Sequence, residues 1–249
     1  MNYQENMNLH FFPDCGLLSQ PIEYLLGQDS DIPCVENINY HYKTLNPGTI
    51  NARPNIFHIY TTMYNGYLEI VVGPMWAGKT SDLMKTYKKL QESPEICDED
   101  ILTLNYIGDV RYGKDAGICS HDGLHIPCRW ASMLSDIDKY HYEKAKYILI
   151  NEGQFFKDIV PWVITAIEKD HKYVYICGLD CDFRRQPFGN WLDLICHANC
   201  IRKLKATCHI CGSKEAIYSD RLSGETMQIM VGTDEYQVLC RECYVNKHL

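Results

Sequence analysis

A glycine-rich run that ends in lysine and threonine carries the clearest chemistry in this sequence. Its residues are Gly73, Pro74, Met75, Trp76, Ala77, Gly78, Lys79 and Thr80. In the pattern G-x-x-x-x-G-K-[ST], a loop bent at both glycines turns successive backbone N–H groups toward a phosphate, and the next helix directs its positive end at the same anion. The lysine reaches the β- and γ-phosphates, and the threonine hydroxyl binds Mg²⁺. Because an apolar stretch precedes the run and a helical pattern follows it, the sequence favours a phosphate-binding loop over a chance glycine turn.

A glutamate after a later apolar stretch is the candidate general base. The stretch ends at Ile150 and is followed by Asn151 and Glu152. A carboxylate at the end of a neighbouring strand can accept the proton of an attacking hydroxyl while the loop and a metal hold the γ-phosphoryl in line. The alternative interpretation is a solvated glutamate in a turn.

Four cysteines near the C-terminus have the spacing of metal ligands. They form two C-x-x-C pairs with 28 residues between them, Cys208 with Cys211 and Cys240 with Cys243. In a reducing compartment this pattern favours a four-thiolate zinc site over a redox dithiol. Four protein ligands leave no open position, so we expect a structural zinc ion that fixes both ends of the intervening segment. His209 is an alternative ligand, although its place inside the first pair favours an exposed side chain.

Length, composition and charge restrict the function classes. The chain has 249 residues, 46% hydrophobic and 22% charged residues, and a formal net charge of −8. This composition is ordinary for a globular protein of one or two domains, and its acidic balance disfavours stable nucleic-acid binding. The first residues are polar and lack the pattern that a leader would predict, no apolar stretch is long enough to cross a bilayer, and most of the 13 cysteines are scattered singly. We therefore expect a cytoplasmic protein that does not bind membranes.

Hydrophobic patterning predicts an α/β fold with helices covering a parallel sheet. The predicted elements are a strand over 67–72, a helix over 80–91, a strand over 101–106, a strand over 147–150, a helix over 158–169 and a strand over 173–177. In the first helix, four apolar residues at helical spacing are predicted to face the core: Leu83, Met84, Tyr87 and Leu90. Ligands of such folds collect at the carboxyl ends of the strands. Residues 1–65 contain many turn-forming residues and are predicted to be an extension outside the main fold. Two alternatives stay open for it: partial disorder, or docking of its aromatic residues on the body of the protein.

Several motifs in order resemble the type II thymidine kinase family over about residues 66–244. Besides the loop and the cysteine pairs they are Asp109-Val110-Arg111-Tyr112, His121-Asp122, Asn151-Glu152-Gly153-Gln154-Phe155-Phe156, Gly178-Leu179-Asp180-Cys181-Asp182-Phe183 and Pro187-Phe188-Gly189. The resemblance implies a RecA-like P-loop domain over 66–205 and a small zinc domain over 206–249 whose lasso loop covers the nucleoside. It also implies a homotetramer that transfers the γ-phosphate of ATP to the 5′-hydroxyl of thymidine or deoxyuridine, a salvage step for DNA synthesis.

The resemblance assigns site residues position by position, with Glu152 as the catalytic base. It places ATP and Mg²⁺ on residues 73–80, on Asp109, Val110 and Arg111, and on Asn151, Glu152, Gly153 and Gln154. It places the nucleoside on Met75, Phe155, Leu179, Phe183, Ser219, Met227, Gln228, Ile229, Met230, Val231 and Tyr236. Without the resemblance, Met75, Phe155 and Phe183 would be assigned to the core, since apolar residues beside strands usually pack there. Arg184 and Arg185 are either phosphate contacts or solvated surface residues.

One departure from the family pattern affects metal binding. The family ordinarily has aspartate where this chain has Asn151, and a neutral amide adds no charge to a cation that prefers anionic oxygen ligands. We therefore predict that Asp109 or the ATP phosphates supply that charge. Three alternatives to a thymidine kinase stay open: a deoxynucleoside kinase of altered base preference, an inactive nucleotide-binding family member, and an ATP-dependent DNA-binding module, which the acidic charge disfavours.

Overall fold

The computed structural model describes residues 66–109, 117–119, 125–230, 232 and 235–249. The predictions for residues 1–65, Val110, Arg111 and Val231 lie outside these residues. Among the described residues, none of the helices combines the length and apolar character that a membrane span requires.

A six-stranded parallel sheet forms the centre of the fold. The strands are β1 (Tyr67–Val72), β2 (Ile101–Tyr106), β3 (Ile118–Cys119), β4 (His125–Ile126), β5 (Arg129–Ala131), β6 (Tyr147–Ile150), β7 (Tyr173–Gly178) and β8 (Cys200–Lys203). Six of them pair in the order β5-β2-β6-β7-β1-β8, with every pairing parallel, while β3 and β4 form a separate antiparallel pair. The predicted parallel α/β fold is confirmed.

The two predicted helices, over 80–91 and 158–169, lie within one residue of their predicted bounds, and two further helices, Lys139–Lys144 and Arg241–His248, were not predicted. The α-helices of the described chain are α1 (Lys79–Gln91), α2 (Lys139–Lys144), α3 (Ile159–Glu168) and α4 (Arg241–His248). Short 3₁₀ turns lie at Asp98–Asp100, Leu134–Asp136, Gly153–Phe155 and Trp191–His197. The strands on either side of α3 are neighbours in the sheet, as a β-α-β unit requires.

Each face of the sheet buries its own hydrophobic cluster, because successive residues of a strand point to opposite faces. On one face, Val71 and Leu149 pack against α1 residues Leu83, Met84, Tyr87 and Leu90, which confirms the predicted core face of that helix. On the other face, Ile70 and Ile150 pack against residues of α3. Both faces are therefore covered, which explains why the central strands read as continuous apolar runs.

A smaller unit with its own hydrophobic cluster follows the sheet. It contains an antiparallel pair, β9 (Tyr218–Arg221) and β10 (Tyr236–Leu239), and the helix α4. Met75 and Ala77 of the glycine-rich loop pack against this cluster. The loop therefore contacts both the sheet and the smaller unit.

An arginine on the edge strand β8 holds the start of α1 against the sheet. The Arg202 guanidinium Nη2 lies 2.7 Å from Glu69 Oε1 on β1 and 2.5 Å from Asp82 Oδ2 in the first turn of α1. These hydrogen bonds raise the pKa of Arg202 even though burial opposes its charge. Because α1 begins directly after the glycine-rich loop, this pairing also fixes where that loop ends.

Candidate active site

Both glycines of the loop between β1 and α1 are required by its backbone. Gly73 has φ of 154°, and a Cβ added there would lie 2.6 Å from the Leu204 carbonyl oxygen. Gly78 has φ of 83°, in the left-handed region that side chains disfavour. The loop therefore has the bent geometry that its sequence predicts.

The lysine of the loop is buried at the carboxyl edge of the sheet. Lys79 is 9% exposed, and its Nζ donates a hydrogen bond of 2.7 Å to the Pro74 carbonyl oxygen. The ammonium is therefore held inside the curve of the loop, and the N-terminus of α1 begins at the same residue. A cation and a helix N-terminus at one point form an environment that favours anions.

A network of amide side chains joins the loop to the ends of β2 and β6. Asn151 is 2% exposed, and its Oδ1 accepts hydrogen bonds from Thr80 Oγ1 at 3.2 Å and from the Cys177 thiol at 3.1 Å. Burial raises the pKa of Cys177 to about 12, so the thiol stays protonated and keeps donating. The Asn151 Nδ2 donates to Asn105 Oδ1 at 3.0 Å, and Asn105 Nδ2 donates to Asp109 Oδ2 at 3.4 Å. The network therefore extends from the threonine of the loop to a carboxylate.

Glu152 has a left-handed backbone conformation, and its carboxylate is held by a hydrogen bond from Gln154. Glu152 has φ of 54° and ψ of 43°, which is uncommon for a residue with a side chain. Gln154 Nε2 donates to Glu152 Oε2 at 2.7 Å, and Gln154 Oε1 accepts from the Leu179 backbone N–H at 3.0 Å. Glu152 is 8% exposed. Strain of this kind persists only where the surroundings fix it, as at functional sites.

A single cavity contains most of the predicted site residues. The predicted residues that line it are Met75, Trp76, Gly78, Lys79, Thr80, Asp109, Asn151, Glu152, Phe155, Leu179, Phe183, Ser219, Gln228, Ile229, Met230 and Tyr236. Six residues predicted to bind ATP or the nucleoside are described but are not among the lining residues: Gly73, Pro74, Ala77, Gly153, Gln154 and Met227. Of these, Gln154 does not line the cavity but donates a hydrogen bond to Glu152, which does. Met227 is 66% exposed.

The cavity also contains residues to which sequence analysis assigned no role. They are Ser81, Tyr106, Gly108, Cys119, Cys181, Asp182, Phe188 and Gly232. Tyr106 and Phe188 pack on Phe155 with ring centroids 5.2 Å and 5.8 Å away. Asp182 and Phe188 lie within motifs that resemble the family, so their positions in those motifs could have identified them as residues of the site. Tyr106 ends a strand and has no comparable signal.

The segment between β9 and β10 closes one side of the cavity. The Met75 N–H donates to Ser219 Oγ at 3.0 Å, which ties β9 to the glycine-rich loop. Gln228 Nε2 donates to Asp182 Oδ2 and to the Pro187 carbonyl oxygen, both at 3.1 Å. We refer to residues 222–230 as the lasso segment. Gln228, Ile229 and Met230 of this segment line the cavity together with residues of the glycine-rich loop.

The four cysteines come together in the smaller unit. Their sulfur atoms all lie within 4.8 Å of one another, and Cys211 Sγ lies 3.8 Å from Cys240 Sγ. A tetrahedron with Zn–S bonds of about 2.3 Å has S–S edges of about 3.8 Å, so the donor set fits zinc. The His209 ring instead packs on Trp76 of the loop, with centroids 5.3 Å apart. Trp76 of the glycine-rich loop therefore contacts His209, which lies between Cys208 and Cys211.

The two arginines of uncertain role lie in the exposed chain that follows β7, and Arg185 contacts the smaller unit. Arg184 Nη2 lies 3.5 Å from Asp182 Oδ2, and the Arg185 guanidinium lies 4.9 Å from the Tyr244 ring centroid. Both arginines are exposed, and neither is among the residues that line the cavity. Their placement favours a structural role at the surface.

Comparison with known proteins identifies a family for most of the described chain. The family model described as thymidine kinase matches residues 66–244. The chain is 37% identical over 185 residues to a thymidine kinase of Rabbit fibroma virus (strain Kasza), covering 74% of this chain and 98% of that protein. It is 38% identical over 181 residues to a thymidine kinase of Yaba monkey tumor virus, covering 72% and 95%. It is 34% identical over 192 residues to thymidine kinase a of Arabidopsis thaliana, covering 74% and 77%.

Proposed function

The chain belongs to the thymidine kinase family and is an ATP-dependent kinase, and we propose that its cavity transfers the γ-phosphoryl group of ATP to the 5′-hydroxyl of thymidine or deoxyuridine. The observation that carries this proposal is the position of Glu152. Its carboxylate lines the same cavity as Lys79 of the phosphate-binding loop and as the lasso segment. A base between a phosphate site and a closed pocket suits transfer to a bound hydroxyl.

We assign the phosphates of ATP to the loop of residues 73–80. The Lys79 ammonium would exchange its bond with the Pro74 carbonyl for bonds to β- and γ-phosphate oxygens, because phosphates are the stronger acceptors. The backbone N–H groups at the start of α1 would add donors that need no reorganisation. Glu152, held by Gln154, would accept the proton of the 5′-hydroxyl as the bond to phosphorus forms.

We propose that Mg²⁺ is held by Thr80 and the ATP phosphates, with Asp109 as the nearby anion of the amide network. Asn151 presents a carbonyl oxygen to the Thr80 hydroxyl and so orients the threonine without adding charge. Asp109 joins the same network through Asn105. The metal, when bound, neutralises charge on the transferred phosphoryl group.

We assign the nucleoside to the opposite half of the cavity. Phe155 and Phe183 offer aromatic faces to a flat base, and the backbone of residues 228–230 offers polar groups to its edge. A pocket that combines aromatic faces with a few polar backbone groups suits a pyrimidine nucleoside. We further propose that the four cysteines hold a structural zinc ion that anchors both ends of the chain around the lasso segment.

Phosphoryl transfer from Mg²⁺-ATP to a panel of deoxynucleosides tests these assignments. We expect products from thymidine and deoxyuridine but not from purine deoxynucleosides. Glu152→Gln should keep fold and ATP binding and lower kcat by about 10²- to 10⁴-fold, the usual contribution of a general base. Transfer to deoxycytidine instead would favour the alternative of altered base preference. ATP binding without transfer to any nucleoside would favour an inactive family member.

The homotetramer, the cytoplasmic location and the lack of stable nucleic-acid binding stay predictions. Light scattering on the purified protein measures the first. A salt-dependent strand-binding assay measures the third, and an affinity that falls steeply with salt would contradict it.

A further inference from the structure

A buried arginine at the end of β9 gathers the backbone of the lasso segment. Arg221 is 5% exposed. Its Nη1 donates to the carbonyl oxygens of Glu225 at 3.0 Å and Met227 at 2.5 Å. Its Nη2 donates to the carbonyl oxygen of Gln228 at 3.3 Å and to the Tyr236 hydroxyl at 2.6 Å. One guanidinium therefore binds three carbonyl groups within four residues of chain.

The same guanidinium also contacts the aromatic side chains of the nucleoside pocket. Its Cζ lies 3.9 Å from the ring centroid of Phe183 and 5.1 Å from that of Tyr236. Phe183 and Tyr236 both line the cavity, whereas Arg221 itself is not among the lining residues. Arg221 thus lies outside the cavity and contacts two side chains that line it, Phe183 and Tyr236.

The hydrogen bonds continue from Arg221 to the next part of the lasso segment. The Tyr236 hydroxyl accepts from Arg221 and donates to the Met230 carbonyl oxygen at 3.2 Å. Carbonyl groups on both sides of Ile229 are therefore fixed, and Ile229 itself lines the cavity. This arrangement fixes the direction in which the peptide groups around Ile229 face.

The buried charge of Arg221 is stabilised by carbonyl groups and aromatic rings and not by an opposite charge of the described residues. Among the described residues no carboxylate forms an ion pair with it, and its buried Nε has no hydrogen-bond acceptor. A buried charge that is not paired with an opposite charge is unfavourable unless polar groups converge on it. Carbonyl dipoles and aromatic faces converge here, so the guanidinium and the lasso conformation stabilise each other.

We propose that Arg221 is a positioning residue for nucleoside recognition, which holds the lasso segment in the conformation that reads the base. This proposal rests on the proposed function. Arg221 touches neither substrate; it acts through the backbone of residues 225–230 and through Phe183. Its loss therefore weakens nucleoside binding and leaves the phosphate-binding loop unaffected.

Steady-state kinetics of Arg221→Lys tests the proposal. Lysine keeps the charge but replaces a planar guanidinium of five donors by one ammonium, so it cannot hold the same set of carbonyl groups. We expect the KM for thymidine to rise by about tenfold or more, which corresponds to about 1.4 kcal/mol, with the KM for ATP and the zinc content unchanged. Arg185→Lys is the matched control, because Arg185 is an exposed arginine that contacts the Tyr244 ring of the smaller unit and does not line the cavity; its KM values should stay those of the wild type.

Two outcomes would overturn the proposal. One is an unchanged KM for thymidine in Arg221→Lys, and the other is a parallel rise in both KM values with loss of zinc, which would indicate a structural role. If Arg221→Lys does not fold, hydrogen exchange of the lasso segment in Tyr236→Phe tests the proposal instead. The amides of residues 225–230 should exchange faster in that variant than in the wild type. Unchanged exchange would refute the proposal. Failure of the proposed function is separate, because the wild type would then not phosphorylate thymidine in the same assay.

Discussion

The substitution Asn151→Asp tests the amide network most directly, since it replaces the amide that donates to Asn105 by a carboxylate, the group that the family resemblance implies at this position. In the structure, Asn151 Nδ2 donates to Asn105 Oδ1 across 3.0 Å. Aspartate would place a second acceptor at that distance. Asn105 cannot simply turn its amide, because its Oδ1 also accepts from the Tyr106 N–H at 3.0 Å and its Nδ2 donates to Asp109.

The expected cost follows from the bonds that are lost. A hydrogen bond between neutral groups contributes about 1 kcal/mol, and a buried group left without its partner costs about 1–3 kcal/mol. The Thr80 hydroxyl and the Cys177 thiol would donate more strongly to a carboxylate and offset part of this loss. We therefore expect Asn151→Asp to lower the free energy of unfolding by about 1–3 kcal/mol without Mg²⁺. For a domain of this size that corresponds to a fall in Tm of about 2–12 °C.

Thermal unfolding with and without Mg²⁺, together with a Mg²⁺ titration of activity, measures both effects. The variant should melt lower than the wild type without metal, gain more from added Mg²⁺, and reach half-maximal activity at a lower Mg²⁺ concentration. Asn105→Ala removes the opposing oxygen, so the destabilisation by Asn151→Asp should shrink in that background. Equal melting of the variant and the wild type in Mg²⁺-free buffer would refute our account of the network. Superimposable Mg²⁺ titrations would refute the role of the missing charge.

Two further predictions concern the smaller unit. Burial raises the pKa of Asp220, but hydrogen bonds from Lys247, Gln237 and His248 outweigh it and leave this pKa below its ordinary value. Asp220→Asn should therefore reduce stability at neutral pH. Urea unfolding should show this difference begin to shrink as the pH falls below about 4, the ordinary pKa of an aspartate, and disappear only below the lowered pKa of the folded state; a difference that persists undiminished in acid would exclude this linkage. Cys211→Ser should lower zinc content measured by atomic absorption, and it should raise the KM for thymidine because the lasso segment loses its anchor. Full zinc occupancy with unchanged kinetics would show that Cys211 is not a ligand.

The sequence predicts the central elements well because their patterns are local. β2 and β6 have the predicted bounds, and α1 begins one residue earlier than predicted. Their signals are a continuous apolar run and a helical repeat, and both can be read within one element. The edge strand β8 was not predicted, because its residues alternate between half-buried and exposed and include two cations. A short edge strand of that kind has no distinctive pattern.

The candidate site was predictable where its residues lie in motifs and not where they meet through space. The phosphate-binding loop, Glu152 and the cysteine pairs have fixed spacings that report their chemistry. The contact between Asn105 and Asn151 joins residues 46 positions apart, and the spacing gives no sign of it. Arg221 was missed because an arginine beside a strand end is usually solvated. Its burial depends on how the lasso segment folds back over it.

Three consecutive polar residues of β9 each hold a different part of the molecule. Ser219 holds the phosphate-binding loop, Asp220 accepts from Lys247 and His248 of α4, and Arg221 holds the lasso segment. Alternation along the strand puts Ser219 and Arg221 on one face and Asp220 on the other. Two residues of backbone therefore separate the side chain that holds the loop we assign to ATP from the side chain that holds the segment we assign to the nucleoside. By reciprocity, any factor by which bound ATP changes the affinity for thymidine must equal the factor by which bound thymidine changes the affinity for ATP.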